Sequence, residues 1–227
     1  ESKDVFLKEV VLGRKLSAYF AKKYGVHKNP ENTRYLQSIG NKLSENTNTK
    51  DIIFYFGILN TGKKLLYSLP GGYILISKGM IKEIENEAEL TILISTAIAH
   101  INLNHSLKVK SKSINYFGTI FPFRVKKDYF LDNSFQIKKL ISKIDRGFPK
   151  SQKKEAEEAA ILLSSSIGYE VINSIKIFKN IYPDKYWKVR NIELKKFMKN
   201  QGVSEGGKEN REDFQLFKNS LLEEKNN

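Results

Sequence analysis

The chain has 227 residues, no cysteine and a formal net charge of +14. The lack of cysteine excludes a disulfide framework and a thiol nucleophile, and an apolar fraction of 40% excludes disorder of the whole chain. The charge favours an acidic partner such as nucleic acid, an anionic membrane surface or an acidic protein. Because lysines and glutamates are mixed along the chain and no nucleic-acid-binding motif accompanies them, a solvated lysine-rich surface is the favoured interpretation of the charge, and nucleic-acid binding is disfavoured.

The first third of the chain predicts two helices followed by a small sheet. Apolar residues at helical spacing indicate a helix over 5–24, and Pro30 is a typical first-turn residue for a second helix that ends near Leu43. The β-branched and aromatic segments IIFYFGIL, KLLYSL and YILIS then predict about three short strands.

From Gly79 onward the pattern is almost entirely helical. Asn86 is a plausible N-cap for an apolar helix running to about Lys108, which lies at the centre of the predicted core. Its apolar stretch is shorter than the roughly 20 residues that cross a bilayer, so no transmembrane segment is predicted. A long surface loop is expected at 111–133, and a flexible joint at 202–207. Further helices are predicted at 134–145, 151–166, 169–181, 188–199 and 209–223.

Three segments of the chain carry a family resemblance: EVVLGRKLSAYFAKKYGV, LPGGYILISKGMIKEIENEAELTILISTAIAHINLNH and GFPKSQKKEAEEAAILLSSSIGY. Together they resemble the HExxH zinc metalloendopeptidases, the gluzincin family that includes HtpX, BepA, Oma and the CAAX prenyl endopeptidase. The resemblance implies an α+β, mostly helical fold with one small sheet. We expect a metallopeptidase-like domain over 1–182 and a helical C-terminal extension over 183–227, beyond the shared region.

The resemblance also assigns the catalytic positions. The first histidine and the glutamate of HExxH fall on Thr96 and Ala97, and the second histidine is retained as His100. The family's third zinc ligand falls on Lys153. The aspartate four residues later is matched by Glu157, and the glutamate between them by Glu155. We call these six residues the vestigial site.

The physical effect of these replacements would be severe. A catalytic zinc needs three protein ligands and an open water position, and without the metal the pKa of a water molecule is not lowered toward neutrality, so no hydroxide nucleophile forms at physiological pH. Ala97 also removes a general base that typically contributes about 10²- to 10⁴-fold. We therefore expect no catalytic residues, no metal ligands and no cofactor. A weakened or relocated metal site that uses His100 and Glu155 is the alternative.

Simpler interpretations of the same residues stay open. His100 on an apolar helix suits a buried, hydrogen-bonded core histidine, and His105 and His27 suit surface or helix-end positions. Lys153 and Glu157 stand four apart, which favours a helical ion pair. A sharper hypothesis is that Lys153 takes over the charge of the zinc and neutralises neighbouring carboxylates.

Peptide binding could survive the loss of catalysis. In the resembling family an extended substrate pairs with an edge strand at the rim of the cleft, through main-chain hydrogen bonds that need no catalytic residue. We predict that this edge strand is retained here; the alternative is that the same strand only packs the core. The segment comprises Leu69, Pro70, Gly71, Gly72, Tyr73, Ile74, Leu75, Ile76 and Ser77.

The sequence therefore predicts a catalytically inactive metallopeptidase homologue that acts as a protein-binding, scaffold or chaperone-like factor. By analogy it would work in the periplasm or cell envelope after removal of a signal sequence, with the C-terminal extension as a partner surface. The alternatives are a metalloendopeptidase with an unorthodox zinc site and a basic protein that binds nucleic acid or an anionic surface.

Overall fold

The computed structural model describes residues 3–47, 52–107 and 134–223. The predicted loop at 111–133 lies outside these residues. The fold is α+β and mostly helical, as the resemblance implied. The helices are α1 (Lys3–Tyr24), α2 (Pro30–Ser44), α3 (Lys78–Lys82), α4 (Glu87–Asn102), α5 (Ser134–Asp145), α6 (Lys150–Ser166), α7 (Asp184–Asn200) and α8 (Arg211–Glu223). The strands are β1 (Tyr55–Leu59), β2 (Leu66–Leu69) and β3 (Tyr73–Ser77).

The three strands form one mixed sheet in the order β1-β3-β2. β1 pairs with β3 in parallel, with Tyr55 opposite Tyr73, and β2 pairs with β3 in antiparallel fashion, with Leu66 opposite Ile76. A 3₁₀ turn over Pro70–Gly72 connects β2 to β3. The predicted number of strands is therefore confirmed.

Close backbone approach fixes α1 against the 3₁₀ turn. Gly71 has φ +68°, and a Cβ atom there would lie 2.4 Å from the Cα of Val10. A Cβ atom at Gly13 would lie 1.8 Å from the carbonyl oxygen of Pro70. Only glycine fits at both positions, so the PGG turn anchors the first helix as well as reversing the chain.

The main hydrophobic core surrounds α4. Residues of α2, the sheet, α4 and α6 share one cluster with Leu194 and Met198 of α7 and with Phe214, Phe217 and Leu221 of α8. The C-terminal segment is helical, as predicted. Its helices nevertheless contribute to the same core as the rest of the chain, so the packing shows no boundary at residue 182.

Two predicted helices differ from the structure. The helix predicted to reach Lys108 ends at Asn102, because Asn104 adopts φ +53° and the chain turns. The helix predicted at 169–181 is a 3₁₀ helix over Ser174–Asn180.

The flexible joint predicted at 202–207 is followed by a residue that is hydrogen-bonded to the body of the protein, because the amide of Glu170 donates to the carbonyl of Lys208. Among the described helices, none is both long and apolar enough for a bilayer crossing.

Candidate functional site

The site forms where α4 packs against α6. Asn86 caps α4 by accepting a hydrogen bond from the amide of Glu89, so the predicted cap is confirmed. Every α4 residue from Glu87 to Ile101 is buried, which explains why its apolar side chains surround the whole helix. α6 is the element that α4 contacts most extensively. The pair therefore brings residues 96–100 next to residues 153–157.

The side chains of Thr96 and Ala97 make their contacts within the protein. The Thr96 hydroxyl donates to the carbonyl of Ile92, one turn earlier in the same helix, at 2.7 Å. Ala97 is fully buried in the main core. Neither side chain presents a free donor atom to a bound ion.

His100 is a buried histidine with two ring contacts. Its Nδ1 lies 2.8 Å from Nδ1 of His105, and its ring stacks on Phe148 with a centroid distance of 3.7 Å. Burial lowers the pKa of His100 well below its usual value, and the nearby charges of His105 and Lys153 lower it further. The imidazole is therefore neutral at physiological pH.

His105 joins His100 to α6. Its Nε2 lies 3.0 Å from a carboxylate oxygen of Glu155, so Glu155, His105 and His100 form a hydrogen-bonded chain. His105 is fully buried, so the surface alternative was wrong, whereas its position three residues after the last residue of α4 agrees with the helix-end alternative. The reason for the burial is the turn at Asn104, which folds the His105 amide back onto the carbonyl of His100 at 3.0 Å.

Lys153 lies near His100, as the assignment from the resemblance requires. Its Nζ is 4.8 Å from the ring centroid of Tyr182, and burial lowers its pKa. No ion pair joins Lys153 to Glu157 in the part of the chain that the structure describes. The predicted helical ion pair is therefore wrong.

Glu157 instead binds Arg190, a residue that the sequence reasoning missed. The Arg190 Nε lies 2.5 Å from one oxygen of the fully buried Glu157 carboxylate, and the Tyr182 hydroxyl donates to the other oxygen. Arg190 also pairs with Glu193 at 2.9 Å and with Glu158 at 3.3 Å. The hypothesis that Lys153 neutralises this carboxylate is corrected, because Arg190 of α7 is the cation in contact with it. Burial raises the pKa of Glu157, and the charge of Lys153 adds a weaker attraction that helps to lower it.

The predicted edge strand is not at an edge. Of its residues, Leu69 ends β2, Pro70–Gly72 form the 3₁₀ turn, and Tyr73–Ser77 form β3. β3 is the central strand, because it pairs with β1 on one side and with β2 on the other. A peptide cannot add to a strand whose two sides are both occupied, so the prediction of an edge position was wrong.

The true edges of the sheet are partly covered. At the outer side of β1 the amide of His27 donates to the carbonyl of Ile58. At the outer side of β2 the Ser106 hydroxyl donates to the carbonyl of Ser68 at 2.7 Å. Beside His100 there is a cavity of about 10 Å³, lined in part by Leu69 and Pro70, which has room for about one water molecule.

The resemblance implies zinc at this position, and the residues present do not fit it. The Thr96 hydroxyl donates to the backbone of its own helix, and Lys153 is a cation, so His100 is the one residue at the three family ligand positions that offers a metal a nitrogen donor. A zinc site of the catalytic kind needs three protein donors. Across residues 3–47, 52–107 and 134–223, no three His, Cys, Asp or Glu side chains are grouped so that they could hold a metal ion.

Comparison with known proteins agrees with the fold. The profile described as "Peptidase family M48" matches residues 30–217, most of the chain. The chain therefore belongs to peptidase family M48. The match continues through α7 to residue 217, so residues 183–217 belong to the shared region, against the prediction that the region beyond 182 lies outside it. The division into a domain and an extension stays a prediction.

One curated relative with a named function is similar to part of the chain. It is a "Beta-barrel assembly-enhancing protease" of Yersinia pestis, which is 26% identical over 73 residues. The similarity covers 32% of this chain and 15% of that relative. The chain therefore matches only a small part of the relative's length.

Proposed function

We propose that this chain is a catalytically inactive member of the M48 family that acts by binding protein. The observation that carries the proposal is the state of the residues where the family holds its zinc. At these positions the Thr96 hydroxyl donates to the backbone of its own helix, Ala97 has a methyl group and Lys153 has an ammonium group. The retained His100 contacts His105 and Phe148. Without a metal-bound water or a carboxylate base, the site has no means of activating water for attack on a peptide bond.

The polar groups of the site support the same conclusion. Glu155 binds His105, and Glu157 binds Arg190 and Tyr182. Both carboxylates therefore cross-link helices, which leaves neither in the position of a free general base. In this proposal the former catalytic centre is a structural joint between α4, α6 and α7.

The partner is proposed to be a protein or an extended peptide, in the cell envelope. The support is the family itself, whose peptidases bind polypeptide, and the name of the relative from Yersinia pestis, which links a family member to β-barrel assembly. The binding surface is not β3, because both of its sides are paired.

The test is to incubate the purified chain with fluorescein-labelled casein as an unfolded substrate. Cleavage is followed with added zinc and with added chelator, and binding is followed by anisotropy at a salt concentration that screens surface charge. We expect saturable binding that the chelator does not change, and no cleavage. Chelator-sensitive cleavage would instead show a working metallopeptidase with an unorthodox site, and absence of binding would contradict the protein-binding role.

A variant with Lys153→Glu, Thr96→His and Ala97→Glu is the matched positive control. It restores the family's two missing ligand types at positions 96 and 153 and its general base at position 97, while leaving His100 in place. If this variant gains zinc-dependent cleavage and the original chain shows none, the loss of activity is assigned to these three residues. Equal cleavage by both proteins would contradict the proposal.

A further inference from the structure

The outer face of α7 carries a stripe of lysines around two exposed apolar residues. At 100° per residue, seven residues fall within a sector of about 120° on this helix. All seven are exposed, and they are Lys185, Lys188, Val189, Ile192, Lys195, Lys196 and Lys199. We call this set the α7 stripe.

The opposite face of the helix holds the stripe in a fixed orientation. Arg190, Leu194 and Met198 are buried on that side, and the guanidinium of Arg190 binds the buried Glu157 carboxylate. The α7 stripe therefore points away from the body of the protein.

The charges of the α7 stripe are not neutralised locally. Within the described part of the chain, none of its five lysines has an ion pair or a side-chain hydrogen bond. The nearest acids along the helix, Asp184 and Glu193, lie outside the sector, and Glu193 is paired with Arg190. The stripe thus presents five positive charges along about 21 Å of helix, at 1.5 Å per residue.

The two apolar residues of the α7 stripe, Val189 and Ile192, are largely exposed to solvent. Val189 is 59% exposed and Ile192 is 69% exposed, and they lie one turn apart in the middle of the lysines. The neighbouring helix α8 also has an exposed apolar residue, Leu216 at 71%. Its surroundings are acidic, with Glu212 and Asp213 both exposed.

On α1 the exposed Leu7 and Val11 also lie among basic residues, but Lys8 and Lys15 of that helix have interactions of their own within the protein. Among the described residues, the run of five lysines without an ion pair around exposed apolar side chains therefore distinguishes α7 from α1 and α8.

We propose that the α7 stripe attaches the protein peripherally to an anionic phospholipid surface. Lysines attract acidic headgroups, and Val189 and Ile192 would enter the boundary between headgroups and acyl chains. A protein partner is less suited, because protein interfaces are poor in lysine and rich in aromatic residues and arginine. Nucleic acid offers phosphates but no apolar phase for Val189 and Ile192.

The first test is co-sedimentation with vesicles of phosphatidylcholine alone and with an equal share of phosphatidylglycerol. We expect binding only to the anionic vesicles, and loss of that binding as salt rises. The triple variant Lys188→Glu, Lys195→Glu and Lys199→Glu should bind about tenfold to a hundredfold more weakly. Its matched control, Lys22→Glu, Lys42→Glu and Lys139→Glu, makes the same change in net charge on other exposed helix positions and should bind as the original chain does.

The second test separates lipid from other polyanions. Val189→Ser with Ile192→Ser should weaken vesicle binding, whereas Leu216→Ser with Leu222→Ser on α8 should not. Thermal unfolding confirms that each variant is folded. Equal loss in the control triple, no effect of the α7 apolar variant, or tighter binding to a labelled DNA duplex than to the vesicles would each overturn the proposal. Because these readouts do not involve proteolysis or casein, they are independent of the proposed function.

Discussion

The two ends of α4 use buried polar groups in different ways. At the N-terminal end Glu87 is a buried carboxylate that accepts hydrogen bonds from Tyr35, Tyr169 and Asn210. Toward the C-terminal end, positions 96 and 97 bear a hydroxyl and a methyl group, and the polar group that remains there is the neutral imidazole of His100. Glu87 cross-links three separate segments of the chain.

In our proposal that catalysis has been lost, this difference indicates which parts of the family motif the fold still needs. The EAEL start of α4 stabilises the fold directly, because its carboxylates satisfy buried donors. The residues at the other end, in our proposal, served a metal and could be replaced by any set that packs. Four predictions test this contrast.

The largest effect is expected for Arg190→Met. This change leaves the fully buried Glu157 carboxylate without its counter-charge, which typically costs about 3–5 kcal/mol. Urea unfolding followed by circular dichroism measures it. Lys188→Met on the exposed face of the same helix is the control and should change stability by less than about 0.5 kcal/mol. A loss for Arg190→Met no larger than that of the control would show that the ion pair does not hold α7 to α6.

Glu87→Ala should have the next largest effect. Removing the carboxylate leaves the hydroxyls of Tyr35 and Tyr169 without an acceptor in a buried site, at about 1–3 kcal/mol. Glu85→Ala, which removes an exposed carboxylate paired with Lys176, should cost less than about 1 kcal/mol. Chemical denaturation of both variants gives the comparison, and equal losses would remove the special role assigned to the start of α4.

The pH dependence of stability tests the other end of the helix. The folded chain holds His100 neutral below the usual pKa of 6.5, whereas the unfolded chain takes up a proton there. The unfolded state therefore binds more protons below pH 6.5, and stability falls as pH drops, by up to about 1.4 kcal/mol per pH unit.

The measurement is the unfolding free energy from pH 7.5 down to about pH 5 for the original chain and for His100→Asn. The variant should lose less stability over this range, because it has no imidazole to protonate at position 100. If the two proteins show the same slope, His100 is not the group that the fold keeps neutral.

The smallest effect is expected for Lys153→Met. Burial disfavours the ammonium and Glu157 is already paired with Arg190, so this change should cost less than about 1 kcal/mol. It should also raise the pKa of His100, since the charge of Lys153 lowers it. NMR titration of the His100 ring measures this directly. A large loss of stability would restore the hypothesis that Lys153 neutralises the site.

The local parts of the fold could be predicted from the sequence. Asn86 followed by acidic first-turn residues indicated the start of α4, and the runs of β-branched and aromatic residues indicated the three strands. The strand order could not be predicted, because pairing between distant segments decides which strand is central. The central position of β3 therefore appeared only in the structure.

The candidate site was predictable to a similar extent. The resemblance placed Thr96, His100 and Lys153 together, but not the turn at Asn104 that buries His105 against His100. Arg190 did have a sequence signal. It stands four residues before Leu194 and eight before Met198, on the apolar face of α7, where an arginine needs a buried partner.

The most direct test of the central claim is the zinc content of the purified chain after equilibration with excess zinc and removal of free metal. The account predicts far less than stoichiometric zinc, because Thr96, Ala97 and Lys153 supply no ligand beside His100. Near-stoichiometric zinc that is lost in a His100→Ala variant would contradict it.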